Sequence, residues 1–273
     1  MKNFYINRII FVFVLSFSIW SCSDQIVDND LSFNEKVVVR SLLEAGKPIE
    51  VYFGKTFPPN STFDPSKTFL EDVNVSIRNG SNIFPLEHIG DGIYVNNNLI
   101  AVNGEEYSLN AVWHGDTIKA QTYIPFSTTF QKAQVQSEIS AAGDSVFYLQ
   151  GFLTPRENAV YGATWSVLDA LDTVRIEDDV IPNLVREKDA NLAGLLLIKT
   201  RSIPNNLVKQ YRNSLFIRIH AFDEVFYNYF ITQDANNAST NIFSQSGINL
   251  RWNVTGNAIG LFIGKSDFII KIP

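Results

Sequence analysis

Residues 104–125, GEEYSLNAVWHGDTIKAQTYIP, contain two runs in which apolar and polar residues alternate. Successive residues of a β-strand point to opposite faces of the sheet, so this pattern predicts two strands that each have one buried and one solvated face. Gly115 lies in the predicted turn between them. The side chains expected on the buried face are Tyr107, Leu109, Ala111, Trp113, Ile118, Ala120, Thr122 and Ile124. The stretch therefore predicts a β-hairpin within a mainly antiparallel β protein.

Further strand patterns surround this hairpin. Val73, Val75 and Ile77 alternate with polar residues and stop at Asn79-Gly80, a dipeptide that is typical of tight hairpin turns. Strand-like runs recur at the spacing of roughly 8–12 residues that characterises small β-sandwiches. We therefore predict an Ig-like β-sandwich domain over residues 35–125, which ends at Pro125.

The second half of the chain, residues 126–273, is also rich in β-branched and aromatic runs bounded by turn residues. These runs predict a second β-rich domain with a sandwich or barrel-like architecture. Its last strands are expected at GINLRWNV (247–254), AIGLFIGKS (258–266) and FIIKIP (268–273). One helix is expected near residues 223–234, because Asp223 is a good N-cap and Phe226, Tyr229 and Phe230 share one helical face. We expect this aromatic face to pack on the sheet.

The N-terminal residues 1–21 have the features of a secretory signal peptide. Lys2 and Arg8 give a positive start, and an apolar segment follows from residue 9 to residue 20. A membrane-spanning helix needs about 20 apolar residues, so this segment is too short to be one. It has the length of a signal-peptide apolar region, and the small Ser21 stands where a signal peptidase cuts.

Cys22 is the only cysteine in the chain and follows the predicted signal peptide directly. A disulfide has no second cysteine to use, and a catalytic cysteine here would lie outside any fold. Residues 19–22, Ile-Trp-Ser-Cys, resemble a bacterial lipobox, although Trp20 stands where a small residue is more usual. The resemblance implies lipid attachment at Cys22, where acyl chains contribute about 0.8 kcal/mol per buried CH₂. Residues 22–34 are then a polar, lipidated tether.

The predicted mature chain is acidic. The whole sequence has 22 Lys and Arg against 28 Asp and Glu, and residues 1–21 contain two of the basic residues and none of the acidic ones. Nucleic-acid binding depends on basic residues that neutralise phosphates, so this balance argues against it. The acidic residues Asp24, Asp28 and Asp30 resemble the export signal of surface-exposed Gram-negative lipoproteins. We therefore expect a lipid-anchored protein in the outer membrane, exposed at the cell surface.

Several stretches in a fixed order, together with the lipobox, resemble one family, the Bacteroidetes-type outer-membrane lipoproteins that carry a domain of unknown function. These stretches are EKVVVRSLLEAGKPIEVYFGKTFPP at 35–59, DVNVSIRNG at 72–80, VNGEEYSLNAVWHGDTIKAQTYIP at 102–125 and TNIFSQSGINLRWNVTGNAIGLFIGKS at 240–266. Val73 departs from the pattern, because an alanine is common at that position. The resemblance extends over nearly the whole predicted mature chain.

This resemblance implies an envelope lipoprotein of the kind found beside TonB-dependent outer-membrane receptors. The expected function is a non-enzymatic binding or accessory subunit of such a receptor or uptake system, with an unknown ligand and no cofactor. The resemblance provides no catalytic residues. A structural adhesin or surface-matrix component is the alternative, since fold does not decide function. An enzyme with unrecognised carboxylates is the third hypothesis.

The chain has few residues with a recognisable chemical pattern. His88, His114 and His220 lack the spacing of metal ligands and are expected to be ordinary surface or packed residues. The acidic run at 177–179 could provide oxygen ligands for Ca²⁺, but it lacks the spacing of a calcium loop and favours a solvated loop. We therefore predict no metal site, no catalytic residue and no enzymatic activity.

Three short motifs match the Asp-Ser/Thr-aliphatic acceptor that such bacteria use for O-glycosylation. The candidate acceptors are Thr117, Ser145 and Thr173. About one match is expected by chance at ordinary residue frequencies. The same motifs fit a simpler interpretation, in which Asp ends a turn and the next residue begins a strand. Both interpretations stay open from the sequence.

Overall fold

A computed structural model describes residues 33–58, 61–62, 64–139, 143, 145–168, 174–238 and 250–273. These residues are mainly β, with three sheets and two α-helices, which confirms the predicted fold class. Residues Glu35–Pro273 form one compact unit. The predicted signal peptide at 1–21 and residues 22–32 of the predicted tether lie outside the described residues.

The strands and helices are numbered in chain order. The strands of the described residues are β1 (Val37–Glu44), β2 (Pro48–Lys55), β3 (Asn74–Asn79), β4 (Asn82–Pro85), β5 (Glu87–Gly90), β6 (Ile93–Ile100), β7 (Glu106–Trp113), β8 (Asp116–Tyr123), β9 (Thr129–Ile139), β10 (Ser145–Thr154), β11 (Ala159–Leu168), β12 (Val174–Asp178), β13 (Val185–Arg186), β14 (Leu196–Lys199), β15 (Leu215–Asp223) and β16 (Ala258–Lys271). The α-helices are α1 (Asn205–Gln210) and α2 (Val225–Ala238). Short 3₁₀ helices occur at Pro65–Lys67, Glu187–Asp189 and Arg212–Ser214.

One sheet of nine strands runs through the whole unit. Its strand order is β12-β11-β15-β16-β1-β2-β6-β5, and β13 also pairs with β11. The pairing of β1 with β16 is parallel and runs from Val37 opposite Ala258 to Glu44 opposite Lys265. Two smaller sheets have the orders β4-β3-β7-β8 and β14-β10-β9. The sheet thus joins the N-terminal strands to the C-terminal strand of the chain.

Both smaller sheets pack on the same face of the nine-stranded sheet. Phe262 on β16 belongs to a first core that also contains residues of β1, β2, β6 and the four-stranded sheet. Phe268 on β16 packs against a second core, formed by β11, β15 and the three-stranded sheet. The two residues are six positions apart, an even offset, so their side chains point to the same face of β16. The result is two sandwich-like layers that share one long sheet.

The hairpin predicted over residues 104–125 is confirmed in detail. Its strands β7 and β8 pair from Glu106 opposite Tyr123 to Trp113 opposite Asp116. All eight side chains predicted to face inward are buried in the structure. Because alternate residues share a face, the turn at Gly115 fixes the register that brings both apolar sets to the first core.

The C-terminal region completes the first core, because Val254, Ala258 and Phe262 join core residues that otherwise lie between Val37 and Ile124. A Cβ atom on Gly260 would lie 1.9 Å from the Val39 carbonyl oxygen, so glycine is required for the close approach of β1 to β16. Residues of both predicted domains, 35–125 and 126–273, therefore lie in one sheet and partly in one core. The boundary itself stays a prediction.

The helix α2 packs on the opposite face of the nine-stranded sheet. It begins at Val225, whose backbone N–H donates to the Asp223 carboxylate at 3.2 Å. Phe226, Tyr227 and Phe230 pack against a small cluster of Val160, Leu184, Phe222 and Ile263. The predicted aromatic face is therefore confirmed for Phe226 and Phe230. Tyr229 instead lies against Trp252, with ring centroids 5.3 Å apart.

The C-terminal region differs from the sequence-based expectation. The runs AIGLFIGKS and FIIKIP, expected as separate strands, form the single strand β16. Of the expected strand at 247–254, residues 250–254 are described and contain no strand. The continuous strand forms because β1 pairs with its first half and β15 with its second half.

None of the helices in the described ranges is long and apolar enough to cross a membrane.

Candidate functional site

The structure places two of the four predicted modification sites. Thr117 is the second residue of β8 and Ser145 is the first residue of β10, and both side chains are exposed. These positions agree with the interpretation that each motif begins a strand, and O-glycosylation stays a prediction. Cys22, the predicted lipid site, and Thr173, the third candidate acceptor, lie outside the described residues.

The histidines do not come together in the fold. His114 lies in the β7–β8 turn, stacks on Trp113 with ring centroids 4.1 Å apart, and places Nε2 3.3 Å from Asp72. His88 packs against Tyr94, with ring centroids 5.1 Å apart. Within the described part of the chain, no three His, Cys, Asp or Glu side chains are close enough to hold a metal ion.

In the acidic run at 177–179, Asp178 forms a hydrogen bond and an ion pair with neighbouring residues. The Asp178 carboxylate accepts a hydrogen bond of 3.0 Å from the backbone N–H of Val180. The same carboxylate lies 3.6 Å from the Arg201 guanidinium. Asp178 therefore has local partners of its own at the end of β12.

A buried chain of polar side chains crosses the nine-stranded sheet on the face opposite the two cores. The Thr164 hydroxyl lies 2.9 Å from His220 Nε2, and His220 Nδ1 lies 3.0 Å from Asp267. Lys265 Nζ is 3.0 Å from Asp267 and 3.3 Å from Glu44. The chain therefore links β11, β15, β16 and β1, and we call it the polar chain.

Both carboxylates of the polar chain have lowered pKa values. Burial acts to raise the pKa of Asp267, but the hydrogen bond and electrostatic attraction of His220 and the charge of Lys265 outweigh burial. Burial likewise acts to raise the pKa of Glu44, and its contacts with Lys47 and Lys265 outweigh it. Both groups are therefore ionised at neutral pH, where Lys265 lies between two negative charges.

The order Thr164, His220, Asp267 is the order of a hydroxyl nucleophile, its base and an orienting carboxylate. Burial argues against that chemistry here, because Thr164 is only 5% exposed and His220 only 7%. Ile181 also closes over the sheet beside them, since a Cβ on Gly162 would lie 2.4 Å from its side chain. The Thr164 side chain is therefore almost completely covered. The geometry supports a structural role, in which the polar chain fixes neighbouring strands.

A groove of about 860 Å³ lies beside β16, at the point where β1 ends. The last residue of β1 that pairs with β16 is Glu44, opposite Lys265, whereas β16 continues to Lys271. Beyond Lys265, β15 is the only strand that pairs with β16 among the described residues. The second half of β16 therefore has a free edge, and this edge forms one side of the groove.

The backbone of the free edge directs hydrogen-bonding groups into the groove. The Lys265 carbonyl accepts a hydrogen bond of 3.0 Å from the N–H of Ala45, so it points away from β15. Alternate residues of a strand direct their N–H and C=O groups to the same side. Asp267 and Ile269 therefore direct theirs away from β15, and both residues line the groove. No described residue bonds to these four backbone groups.

Apolar side chains surround the groove. Ile100, Val102 and Ile269 are 42%, 52% and 44% exposed, although each is a large apolar residue. The far wall consists of the turn at 45–47 and residues 100–103, and the turn hydrogen-bonds to Ala101 at 2.8 and 2.9 Å. The groove is therefore a recess between two backbone segments rather than an open sheet edge.

The polar lining of the groove is incompletely paired. The Ser266 hydroxyl and Asn103 Oδ1 are buried and have no hydrogen-bond partner within the described ranges. Buried polar atoms of this kind normally have a partner. The Arg218 guanidinium, which also lines the groove, forms no ion pair with any described residue. Lys47, by contrast, contacts Glu44. Arg218 is therefore the charged side chain of the lining that is left without an ion-pair partner among the described residues.

Sequence patterns alone do not reveal this groove. Its walls come from the ends of β1, β6 and β16, and each contributing segment is short and ordinary in composition. One signal was present, because the apolar strand pattern at 258–271 is longer than the pattern of its partner at 37–44. That difference in length leaves part of β16 without a neighbour.

Comparison with known proteins gives one family. A family model described as "Domain of unknown function (DUF4249)" matches residues 24–267. The matched range contains the polar chain and the groove residues up to Asp267. A search of curated proteins gave no match.

Proposed function

We propose a function for this protein from one premise: the chain belongs to the DUF4249 family, which is defined by a domain of unknown function. We propose that the protein is anchored in the outer membrane by a lipid, with its folded part at the cell surface. There it acts as a non-enzymatic binding or accessory subunit of a TonB-dependent receptor or uptake system. The observation that carries the proposal is the groove beside β16, which offers a recess lined for binding.

The N-terminal sequence supports the anchor. Cys22 is the only thiol of the chain and stands directly after an apolar segment of signal-peptide length. The compact unit begins at Glu35, so residues 22–34 separate it from the proposed lipid. Thirteen extended residues span at most roughly 43–47 Å. The folded part would stay close to the membrane and within reach of a membrane receptor.

The buried state of the polar chain favours binding over catalysis. The one arrangement in the described residues that resembles a catalytic relay, Thr164 with His220 and Asp267, is closed to solvent at its hydroxyl end. A general base must reach the proton that it abstracts. The groove, by contrast, is open and is lined by apolar side chains and an unpaired cation. These are the features of a binding site.

A structural adhesin is the second candidate, and one observation favours it. The strand β9 pairs only with β10 among the described residues, so its 11 residues offer a second free edge to another chain. Donation of the C-terminal strand is disfavoured, because β16 lies between β15 and β1 and contributes to both cores. Assembly through β9 remains the form that this alternative would take.

The proposal is tested by purification from membranes at native abundance. The expected result is that a TonB-dependent receptor co-purifies with the protein and that the protein incorporates labelled fatty acid. Cys22→Ala should abolish both the lipid label and membrane retention, whereas the control Ser23→Ala should retain them. Recovery of the protein alone would contradict the receptor partnership, and a membrane-bound, lipid-labelled Cys22→Ala protein would contradict the anchor.

A further inference from the structure

We infer that the groove beside β16 binds an extended segment of a partner polypeptide, which adds as a strand to the free edge of β16. The segment carries apolar side chains at alternate positions and at least one acidic side chain. This inference rests on the proposed binding function and names the chemical class of the ligand. It concerns the edge residues Asp267 and Ile269 and the groove residues around them.

The backbone geometry selects an extended polypeptide. Asp267 and Ile269 each direct an N–H and a C=O into the groove, and the two residues are separated by one intervening residue. Donors and acceptors therefore repeat along the edge at about 6.6–6.8 Å, which is two residues of a strand. Another β-strand presents complementary groups at the same repeat.

The side chains around the groove select apolar residues at alternate positions. Ile100 and Val102 are exposed apolar residues on the far wall, and Ile269 is exposed on the edge strand. An added strand would direct successive side chains to opposite faces of the sheet. Every second side chain can then cover these apolar residues, while the others face solvent.

The charged side chains around the groove favour an acidic residue in the bound segment. The lining contains two cations, Lys47 and Arg218, and two carboxylates, Glu44 and Asp267. The buried Lys265, which is not part of the lining, contacts both carboxylates. The two lysines contact those carboxylates, which leaves Arg218 without an ion-pair partner in the described part of the chain. A carboxylate on the bound segment would form a charge-assisted hydrogen bond with its guanidinium.

The recess favours a partner over a second copy of this chain. Pairing between two copies would bring a whole sheet edge against β16, and the turn at 45–47 and residues 100–103 occupy the far side of the groove. A single strand, by contrast, meets no neighbouring strand there.

Selection from a display library of linear peptides on the full-length protein in detergent tests the inference. We expect enriched peptides with apolar residues at alternate positions and an Asp or Glu. A fluorescein-labelled selected peptide should bind in fluorescence anisotropy. Failure to enrich any linear peptide would overturn the inference, and it would leave the membrane purification experiment unaffected. Competition by a peptide of residues 23–32 at equal affinity, or binding only by a dimeric form, would also overturn it.

Variants of the protein locate the binding site. Ile269→Pro removes an N–H that faces the groove and takes no part in the ladder with β15, and proline is tolerated at such edge positions. We expect it to weaken peptide binding at least about tenfold, whereas Ile269→Val should change affinity less than about threefold. Arg218→Glu should weaken binding of the acidic peptide and strengthen binding of its Lys-substituted analogue. Unchanged affinity in both Ile269→Pro and Arg218→Glu would overturn the inference.

Changes in the peptide test the strand geometry without changing the protein. N-methylation removes one backbone donor at a time from the selected peptide. Strand addition predicts that N-methylation at every second residue weakens binding at least about tenfold and that methylation between those residues has little effect. An apolar pocket that recognises side chains alone would show no such period of two, and that result would contradict strand addition.

Discussion

The backbone N–H of Gly264 donates a hydrogen bond of 2.7 Å to the hydroxyl of Thr122. That hydroxyl in turn donates to the Asp223 carboxylate at 2.7 Å. The three residues lie on β16, β8 and the end of β15, so the contact joins the nine-stranded sheet to the four-stranded sheet. A Cβ on Gly264 would lie 2.2 Å from the Tyr123 carbonyl oxygen, which shows how closely the two sheets approach.

Asp223 is predicted to be important for stability because it accepts three hydrogen bonds at this junction. Its donors are the Thr122 hydroxyl, the Tyr123 N–H and the Val225 N–H. Asp223→Ala should lower the free energy of unfolding by about 2–4 kcal/mol, because three donors at the junction lose their carboxylate acceptor. Urea unfolding measures the change. Glu224→Ala, a change at the exposed neighbouring residue, is the control. Its free energy of unfolding should stay within about 0.5 kcal/mol of that of the parent protein.

Gly260 is predicted to be intolerant of any side chain. Its φ is +132°, and a Cβ would lie 1.9 Å from the Val39 carbonyl. Gly260→Ala should lower the free energy of unfolding by about 3 kcal/mol or more through strain and steric overlap. Gly46→Ala is a matched control, with φ +83° and open space around its Cβ, and should cost only about 1–2 kcal/mol. Equal losses in urea unfolding would contradict the close approach of β1 to β16.

The two cores are predicted to unfold together, because the nine-stranded sheet passes through both. Phe262 is fully buried in the first core and lies on the shared strand β16. Phe262→Ala should cost about 3–5 kcal/mol. Hydrogen exchange followed by mass spectrometry should show lower protection in β7, which contributes to the first core, and in β15, which contributes to the second core. A loss confined to β7 would instead show that residues 35–125 and 126–273 unfold independently.

The polar chain predicts an acid-dependent loss of stability. The pKa of Asp267 is lowered in the folded protein, so its contribution is complete above the unfolded value of about 3.9 and is lost as pH falls through the lower folded value. Asp267→Asn should lower the free energy of unfolding at pH 7 by on the order of 2 kcal/mol. The difference from the parent protein should shrink at about pH 2–3.

Urea midpoints measured across that pH range check the prediction. Asp91→Asn is a suitable control, because Asp91 is exposed in a turn and forms no ion pair with any residue that the structure describes. It should leave the unfolding free energy nearly unchanged at both ends of the range. A difference between Asp267→Asn and the parent protein that is constant with pH would show that the carboxylate charge is not the stabilising feature.

The sequence predicted those elements of the fold that depend on contacts between residues close together in the chain. The β7–β8 hairpin followed from alternation in residues 104–125, because alternation and a tight turn fix both the buried face and the register. The helix from Val225 followed in the same way from Asp223 and the spacing of Phe226 and Phe230. In each case the residues that determine the structure are close together in the sequence.

The candidate site could not be predicted, because its residues are distant in sequence. Lys265 contacts Glu44 across 221 positions, and Thr164 contacts His220 across 56. The parallel pairing of β1 with β16 cannot be predicted from the periodicity of apolar residues in the sequence. This pairing determines where β1 ends and the groove begins. In the sequence, Ile269 and Val102 are ordinary apolar residues of strand patterns. The fold shows that both are exposed beside a free edge.

Photocrosslinking on intact cells tests the central claim most directly. A photoreactive amino acid replaces Val102, which lines the groove, and a control protein carries it at Leu192, an exposed loop residue outside the groove. We predict that the probe at Val102 crosslinks to a TonB-dependent outer-membrane receptor, that the probe at Leu192 does not, and that Cys22→Ala abolishes the crosslink. Recovery of the Val102 protein without a receptor at native abundance, or equal capture from both positions, would contradict the account.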